Sequence, residues 1–453
     1  MTKSVKMQYL FIGRIAYKSS VVTGIMKMEE KKMLSKEKSL KYFVSVAVML
    51  VVFSLFVGCD NNGASGEDGD VTLVMSTWNA GIEFTVLIEA FEDQHPNINI
   101  EVIDVASPNY TERIVTMLAG GETLDIIPII DMPLYVNLSE RGQLKDLTDF
   151  VQGLGSDARS AALDFMPLDG VYYAIPFRWH FYVLFYNKDI FDAAGIPYPE
   201  HLTWDEYREL ALQLTSGEGA DKVYGAHLHI WRSITHGIAS AQTGYSQLTD
   251  DFSFLIDQYE LVLAMQEEGS IMDFGVILAA DVGYRPRFEL GHAAMIPMGA
   301  WYLGELAERA EFNWGIAPMP QISRDSEITT MGMPTSFGIN ANTNHPEEAL
   351  MFIEFATGPE GAMLIAEIGN VPALMTDEVL DVYFSVPGMA NDELTRRTFN
   401  PDRVEIEMQL SNLTGEVDQI LAETHELIMT GEISLEEGIE QMNERVGAVL
   451  NRQ

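Results

Sequence analysis

Between Val71 and Asp131 the sequence changes period four times in about sixty residues, and this succession limits the fold more than anything else in the chain. VTLVMSTW (71–78) is an apolar run of strand length. FTVLIEAFEDQHP (84–96) spaces its apolar residues for one helical face, and Pro96 ends it. INIEVI (98–103) alternates as a strand, NYTERIVTMLAGG (109–121) is a helix stopped by glycines, and LDIIPIID (124–131) is a buried strand. The order β-α-β-α-β predicts an α/β sheet with helices on its faces. Ligands of such sheets bind beyond the carboxyl ends of the strands. Those ends are Trp78-Asn79 and Asp131.

Further along, TWDEYRELALQLT (203–215) opens with Thr203 and Glu206 at capping-box spacing, and Trp204, Tyr207, Leu210, Ala211 and Leu214 form one apolar stripe. HPEEALMFIEFAT (345–357) is a second amphipathic helix, and residues 414–450 read as two or three acidic helices. With 453 residues the chain is long enough for two or three domains. Sheet signals before residue 180 and mixed signals after it divide the mature chain into two lobes.

Cys59 is the single cysteine, so no internal disulfide forms. It follows a run from Tyr42 to Val57 without a charged residue, itself preceded by Lys31, Lys32, Lys36, Lys38 and Lys41. A basic stretch followed by sixteen uncharged residues is a signal peptide, short for a membrane span of about twenty. The segment before Met28 adds nothing to that signal, which points to translation starting at Met28 or Met33. FVGC (56–59) resembles the lipobox of bacterial lipoproteins, with Phe56 where leucine is usual. The resemblance implies cleavage before Cys59 and its lipidation. Residues 59–70 read as a flexible tether. The whole chain has a formal charge of −39, and residues 1–58 carry +7, which leaves −46 for the 395 residues that follow. Such a surface repels nucleic acid and anionic headgroups.

The most informative stretch is GVYYAIPFRWHFYVLFYNKDIFDAAGIPYPEHLTWDEYRELALQLT (170–215). Gly170, Tyr173, Pro176, Tyr186, Asn187, Lys188, Asp189, Phe191, Ala194, Gly195, Ile196, Thr203, Trp204 and Glu206 reproduce a pattern in order. The stretch resembles the extracellular solute-binding proteins of sugar ABC importers, the group that includes maltose-binding proteins. Further similarities run over nearly the whole mature chain, among them AFEDQHPNINIEV, LSERGQLKDLTDF, AAMIPMGAWYLGEL and NWGIAPMPQ.

The resemblance implies a two-lobed, periplasmic-binding-protein-like α/β fold of type II, each lobe a sheet flanked by helices, with a ligand cleft at the hinge. Lobe I would comprise 71–180 and 335–375, and lobe II 181–334 and 376–453. The chain would cross near 177–183, return near 331–336 and cross again near 372–378. Asn187 then reads as a turn former and Gly195 as a helix C-cap.

A sugar offers hydroxyls around its rim and C–H faces that flat aromatic rings cover. Of six tryptophans, Trp204 and Trp314 read as core. Trp301, in the Gly-x-Trp segment, is implied as a stacking ring by the resemblance, and Trp231 lies near another family aromatic. Trp78 and Trp179 are further candidates. Asp131 lies where the family carries a sugar-binding acid, and Asn79 is a weaker polar candidate. Arg178 and His180 occupy a segment where the maltose-binding branch uses a carboxylate. This departure argues against maltose and leaves open either hydroxyls or the carboxylate of an acidic sugar. Ser336 is a lining candidate at the second crossing. His227 and His229 share one face if their segment is a strand, but a zinc site needs three or four convergent ligands, so no metal and no cofactor are expected.

The expectation is therefore a lipid-anchored, exported receptor on the outer face of the cell membrane. It captures a carbohydrate and delivers it to an ABC permease, with a monomer as the default state and no nucleic acid as partner. The alternatives are the same role with a cationic or peptide ligand, or a secreted glycan-acting hydrolase. The latter needs two carboxylates about 5–10 Å apart across a sugar, and no such pair stands out. Substituting Cys59→Ser should move the protein from the membrane to the soluble fraction on fractionation. A variant that stays membrane-bound would show that another segment is the anchor.

Overall fold

The computed structural model describes residues 70–452, apart from 80, 107, 108 and 157. The signal segment, Cys59 and all of the tether except Asp70 lie outside the described residues. Among these there are nine strands: β1 (Val71–Trp78), β2 (Ile98–Val105), β3 (Ile126–Ile129), β4 (Ala174–Asn187), β5 (Tyr224–Ala226), β6 (Ala293–Gly299), β7 (Trp314–Ala317), β8 (Thr329–Ile339) and β9 (Arg403–Ile406). They run in the order β2-β1-β3-β8-β4-β6-β5, with β7 also paired to β4 and β9 to β8.

The β-α-β-α-β opening folds as its periodicity predicts. β1 is parallel to β2, in register from Val71↔Ile98 to Trp78↔Val105, and parallel to β3 at Met75↔Ile126. The crossovers are the helices Ile82–Gln94 and Tyr110–Ala119. Both present their apolar stripe to the sheet: Phe84, Leu87, Ile88 and Phe91 from the first, Ile114, Met117 and Leu118 from the second.

β4 holds the two halves of the molecule together. All fourteen of its residues are buried, so its sequence AIPFRWHFYVLFYN shows no polar alternation. Its first half pairs antiparallel with β8, from Ala174↔Gly338 to Phe181↔Gly332. Its second half pairs with β6 from Tyr182↔Gly299, and with β7 from Leu184↔Ala317. One strand thus leaves one sheet and enters another, with a register shift between Pro176 and Arg178. Beside it, Trp179 N–H donates to Val371 O (3.2 Å), and Ala373 N–H donates to Phe177 O (3.0 Å). Three segments therefore lie side by side at the passage between the sheets: 177–181, 332–335 and 371–373.

The hydrophobic core is divided accordingly. One cluster gathers β1, β3 and their helices with Phe177, Phe337, Phe352 and Ile365. A second gathers Tyr182, Leu184, Tyr186, the stripe of helix Trp204–Leu214 and the helices Thr414–Met429 and Leu435–Leu450. A third packs Trp179, Phe181 and Phe185 against Tyr302, Trp314, Val379 and Phe399.

Local signals hold in detail. Thr203 and Glu206 form a capping box: Glu206 N–H donates to Thr203 Oγ1 (3.3 Å), and Thr203 N–H donates to Glu206 Oε2 (2.8 Å). Asn187 caps helix Lys188–Ala194 by accepting from Ile190 N–H, and Gly195 ends it at φ 68°. One expectation fails. β5 stops at Ala226, so His227 and His229 do not share a strand face. His227 N–H still donates to Met295 O (2.9 Å), but β5 pairs with β6 only at Tyr224↔Ala293 and Ala226↔Met295, and the chain then turns into a single π-helical turn at Ser233–Gly237.

The joint between the first core and the passage is aromatic. Phe337 of β8 stacks on Phe177 of β4, with ring centres 4.1 Å apart and planes at 22°, and touches Phe84 and Phe352 edge-on. Phe337→Ala removes a fully buried ring and should cost about 3–5 kcal/mol in urea unfolding. A loss below about 1 kcal/mol would show that this joint does not hold the sheet together.

Candidate functional site

Along β4, side chains alternate between two faces. Trp179, Phe181, Val183 and Phe185 enter the third core. Arg178, His180 and Tyr182 occupy the other face, and the candidate residues assemble around them.

The first group lies at the carboxyl end of β1. The indole of Trp78 is packed edge-on between Phe84 (4.7 Å) and Tyr110 (5.1 Å). The Arg178 guanidinium carbon stands 5.8 Å from the Trp78 ring centre and 5.2 Å from that of Phe177. Arg178 Nη1 donates to Glu83 Oε1 at 2.6 Å, and both side chains are about nine-tenths buried. Asp131 caps helix Met132–Glu140: its Oδ1 accepts from Leu134 N–H (2.8 Å) and its Oδ2 from the Thr111 hydroxyl (3.1 Å). Burial raises its pKa, and those two hydrogen bonds partly restrain the shift. Asn79 is exposed, at φ 54°, and its N–H donates to Val105 O (3.2 Å).

The second group is a nest of rings. Trp301 follows β6 and opens helix Tyr302–Arg309. Its indole stands edge-on to His180 and to Tyr182, each at 5.5 Å, and 6.0 Å from Trp231. Its Nε1–H donates to the Tyr284 hydroxyl (3.2 Å). A Cβ on Gly299 would fall 1.9 Å from the Trp301 ring, so the indole lies directly over a residue that has to be glycine. Trp231 touches His229 (4.4 Å) and Tyr284 (5.9 Å) and is 43% exposed, the open edge of the nest. Behind it a void of about 20 Å³, lined by His229, Thr235 and His425 among others, has room for about one water.

The nest is braced from below. Tyr182 hydroxyl bonds Ser233 Oγ (2.8 Å), which donates to Glu407 Oε1 (2.5 Å). Burial raises the Glu407 pKa, while the Ser233 bond and the Arg232 charge pull it back. His180 has neither ring nitrogen hydrogen-bonded, and Arg178 Nε is likewise without a partner. Burial first, and the Arg178 charge second, hold the His180 imidazole well below its usual pKa. It is therefore neutral, offering one donor and one acceptor. Three unpartnered buried polar atoms on one strand face, beside aromatic rings, suit a neutral ligand rich in hydroxyls.

Two sequence candidates are not brought to this surface. Trp179 points to the opposite face, 6% exposed and stacked on Phe165 (5.2 Å). Ser336 is fully buried in β8 between Ile129 and Pro176, and its hydroxyl points to Met166 Sδ (3.7 Å). Sequence reasoning missed Tyr182, Tyr284, Glu83, Ser233 and Glu407. Counting by twos from His180 finds Tyr182, but nothing local marks Glu83, 95 positions from its partner.

Two α/β lobes joined by shared strands, with this polar and aromatic face at the passage, define a type II periplasmic-binding-protein-like fold. The chain belongs to the bacterial extracellular solute-binding protein family, which residues 78–363 match. A crystal structure of a sugar transporter from Rhizobium etli, in an open conformation, is 34% identical with a TM-score of 0.72, covering 83% of this chain and 99% of that one. An arabinooligosaccharide-binding protein of Bacillus subtilis is 22% identical over 339 residues, 71% of this chain and 77% of its own. An uncharacterized lipoprotein of Streptomyces antibioticus is 24% identical over 351 residues, 71% of this chain and 74% of its own.

The buried histidines set how stability depends on pH. His180 and His236 lie well below the usual value, His227 and His425 are pushed down to about 3, and His229 to about 4, in each case chiefly by burial. The unfolded chain takes up these protons near pH 6.5 and the folded chain does not, so stability falls as pH drops below about 6.5. The raised carboxyls of Asp131 and Glu407 act in the opposite sense, but among the described residues there are only two of them. Urea midpoints should therefore decline steadily from pH 7 to pH 5. A flat profile would mean that the histidines protonate in the folded state.

Proposed function

We propose that this protein is the receptor of a sugar importer: it captures a sugar or oligosaccharide at the β4 passage and presents it to an ABC permease. The observation that carries this reading is the coincidence of ring faces with unpartnered polar atoms at Arg178 and His180. Trp301 and Trp231 supply surfaces for C–H faces, while His180 and Arg178 meet hydroxyls. Trp78, Asn79 and Asp131 border the same region from the β1 side. The names of the Rhizobium and Bacillus relatives support a carbohydrate over a peptide or a cation.

Lobe I in this reading comprises 71–180 and 335–375, and lobe II 181–334 and 376–453. The segments near 177–181, 332–335 and 371–373 act as the hinge. Ligand that touches both lobes favours the closed form by its differential affinity for that form. The protein works by binding, without catalysis, as a monomer. Lipid on Cys59 keeps it at the outer face of the cell membrane beside its permease, which the Streptomyces lipoprotein's name supports.

A thermal-shift screen of the purified protein against neutral oligosaccharides, polyamines and peptides tests the reading, because tight ligands raise the midpoint by mass action. A shift by a polyamine with none by any sugar would overturn it. Trp231→Ala should weaken sugar binding about tenfold, or ~1.4 kcal/mol, with the melting temperature kept, since that ring is partly exposed. Trp301→Ala should in addition abolish the ligand-induced change in tryptophan fluorescence. Unchanged affinity in both variants would remove the ring nest from the site.

A further inference from the structure

Arg178 on the ligand-facing side of β4 would, by itself, make an attractive seat for an acidic sugar. Its surroundings argue otherwise. Glu83 reaches from the first turn of helix Ile82–Gln94 and accepts from Arg178 Nη1 at 2.6 Å, with each side chain 8% exposed. The carboxylate is folded back over Gly81, where a Cβ would come within 2.6 Å of Glu83 Oε2. The backbone of this turn thus leaves the space that the acid occupies.

From this geometry we infer that Glu83 is the charge-selectivity residue of the site, admitting uncharged ligands and rejecting those that carry a carboxylate. The inference rests on the carbohydrate reading above. Arg178 Nε and the two His180 ring nitrogens are buried polar atoms without partners. A hydroxyl satisfies these without adding charge. A ligand carboxylate brought to the same atoms would sit within a few ångströms of Glu83, in surroundings that screen poorly. Glu83 already offsets the Arg178 charge, so a second anion at this place meets no uncompensated positive charge. The −46 formal charge of the mature chain adds a weaker bias in the same direction.

The experiment uses shape-matched pairs: maltotriose, mannotriose and cellotriose, each beside its counterpart with a terminal C6 hydroxymethyl oxidised to carboxylate. Binding is measured by calorimetry on the wild-type protein and on Glu83→Gln. For whichever neutral sugar binds, the acidic counterpart should bind wild type at least tenfold more weakly. Glu83→Gln should bind that acid at least tenfold more tightly than wild type does. Equal affinity of wild type for both members of a pair would overturn the inference, as would a folded Glu83→Gln that gains nothing. Leaving Arg178 buried and unpaired costs stability, so a cooperative melt of the variant is checked first. If Glu83→Gln does not fold, the wild-type pairs alone decide. Failure of the carbohydrate reading looks different: in the thermal-shift screen a polyamine or peptide stabilises wild type and no sugar does, and the charge filter then falls with it.

Discussion

Everything in this molecule depends on a strand that belongs to two sheets. β4 is buried along its whole length because three cores cover it: the first at its start, the third along one face from Trp179 to Phe185, and the second along the other face from Tyr182 to Tyr186. The hydrogen bonds of its first half belong to β8 and those of its second half to β6 and β7. At the passage its backbone is bonded to β8 and to the stretch around Val371. Arg178 and His180, two of the side chains with buried unpartnered polar atoms, sit at this change of partners. Burying such atoms costs free energy, and that cost is offset only when something outside the chain completes them.

Much of the architecture was legible because it rests on local rules. The alternation from Val71 to Asp131 encodes the parallel β2-β1-β3 unit. Thr203, Glu206, Asn187 and Gly195 encode their helix ends by hydrogen bonds and backbone angles that span at most five residues. The resemblance in residues 170–215 supplied an expectation that periodicity does not, namely a two-lobed fold. Where local pattern and tertiary context disagree, context decides. His227 and His229 have strand spacing, but β5 finds partners for only a few residues before the chain turns away.

The candidate site was legible in part, for a related reason. The resemblance pointed to Trp301 and Trp231 and to the segment of Arg178 and His180, and the end of the first strand pointed to Trp78. Trp179 lies between those two in sequence yet faces the opposite core, because a strand alternates and a list of neighbours does not. Ser336 was expected to line the second crossing, but it lies within the sheet between Ile129 and Pro176 with its hydroxyl enclosed. The Glu83–Arg178 pair depends on a contact between a helix start and a distant strand, which no spacing rule contains. The same holds for the brace of Tyr182, Ser233 and Glu407, drawn from three separate segments.

The seating of Trp301 over Gly299 has one more consequence. The ring rests on main chain, with Tyr182 and His180 at its edges and Tyr284 holding its N–H. Its location is tied to the backbone at the end of β6. Trp231, 6.0 Å away and open on one side, has no such foundation. Substitution at 231 trades one surface for another, whereas substitution at 299 or 301 disturbs a strand end. The two rings therefore differ in mutational cost: a change at 231 alters a partly open surface, while a change at 301 reaches the strand end.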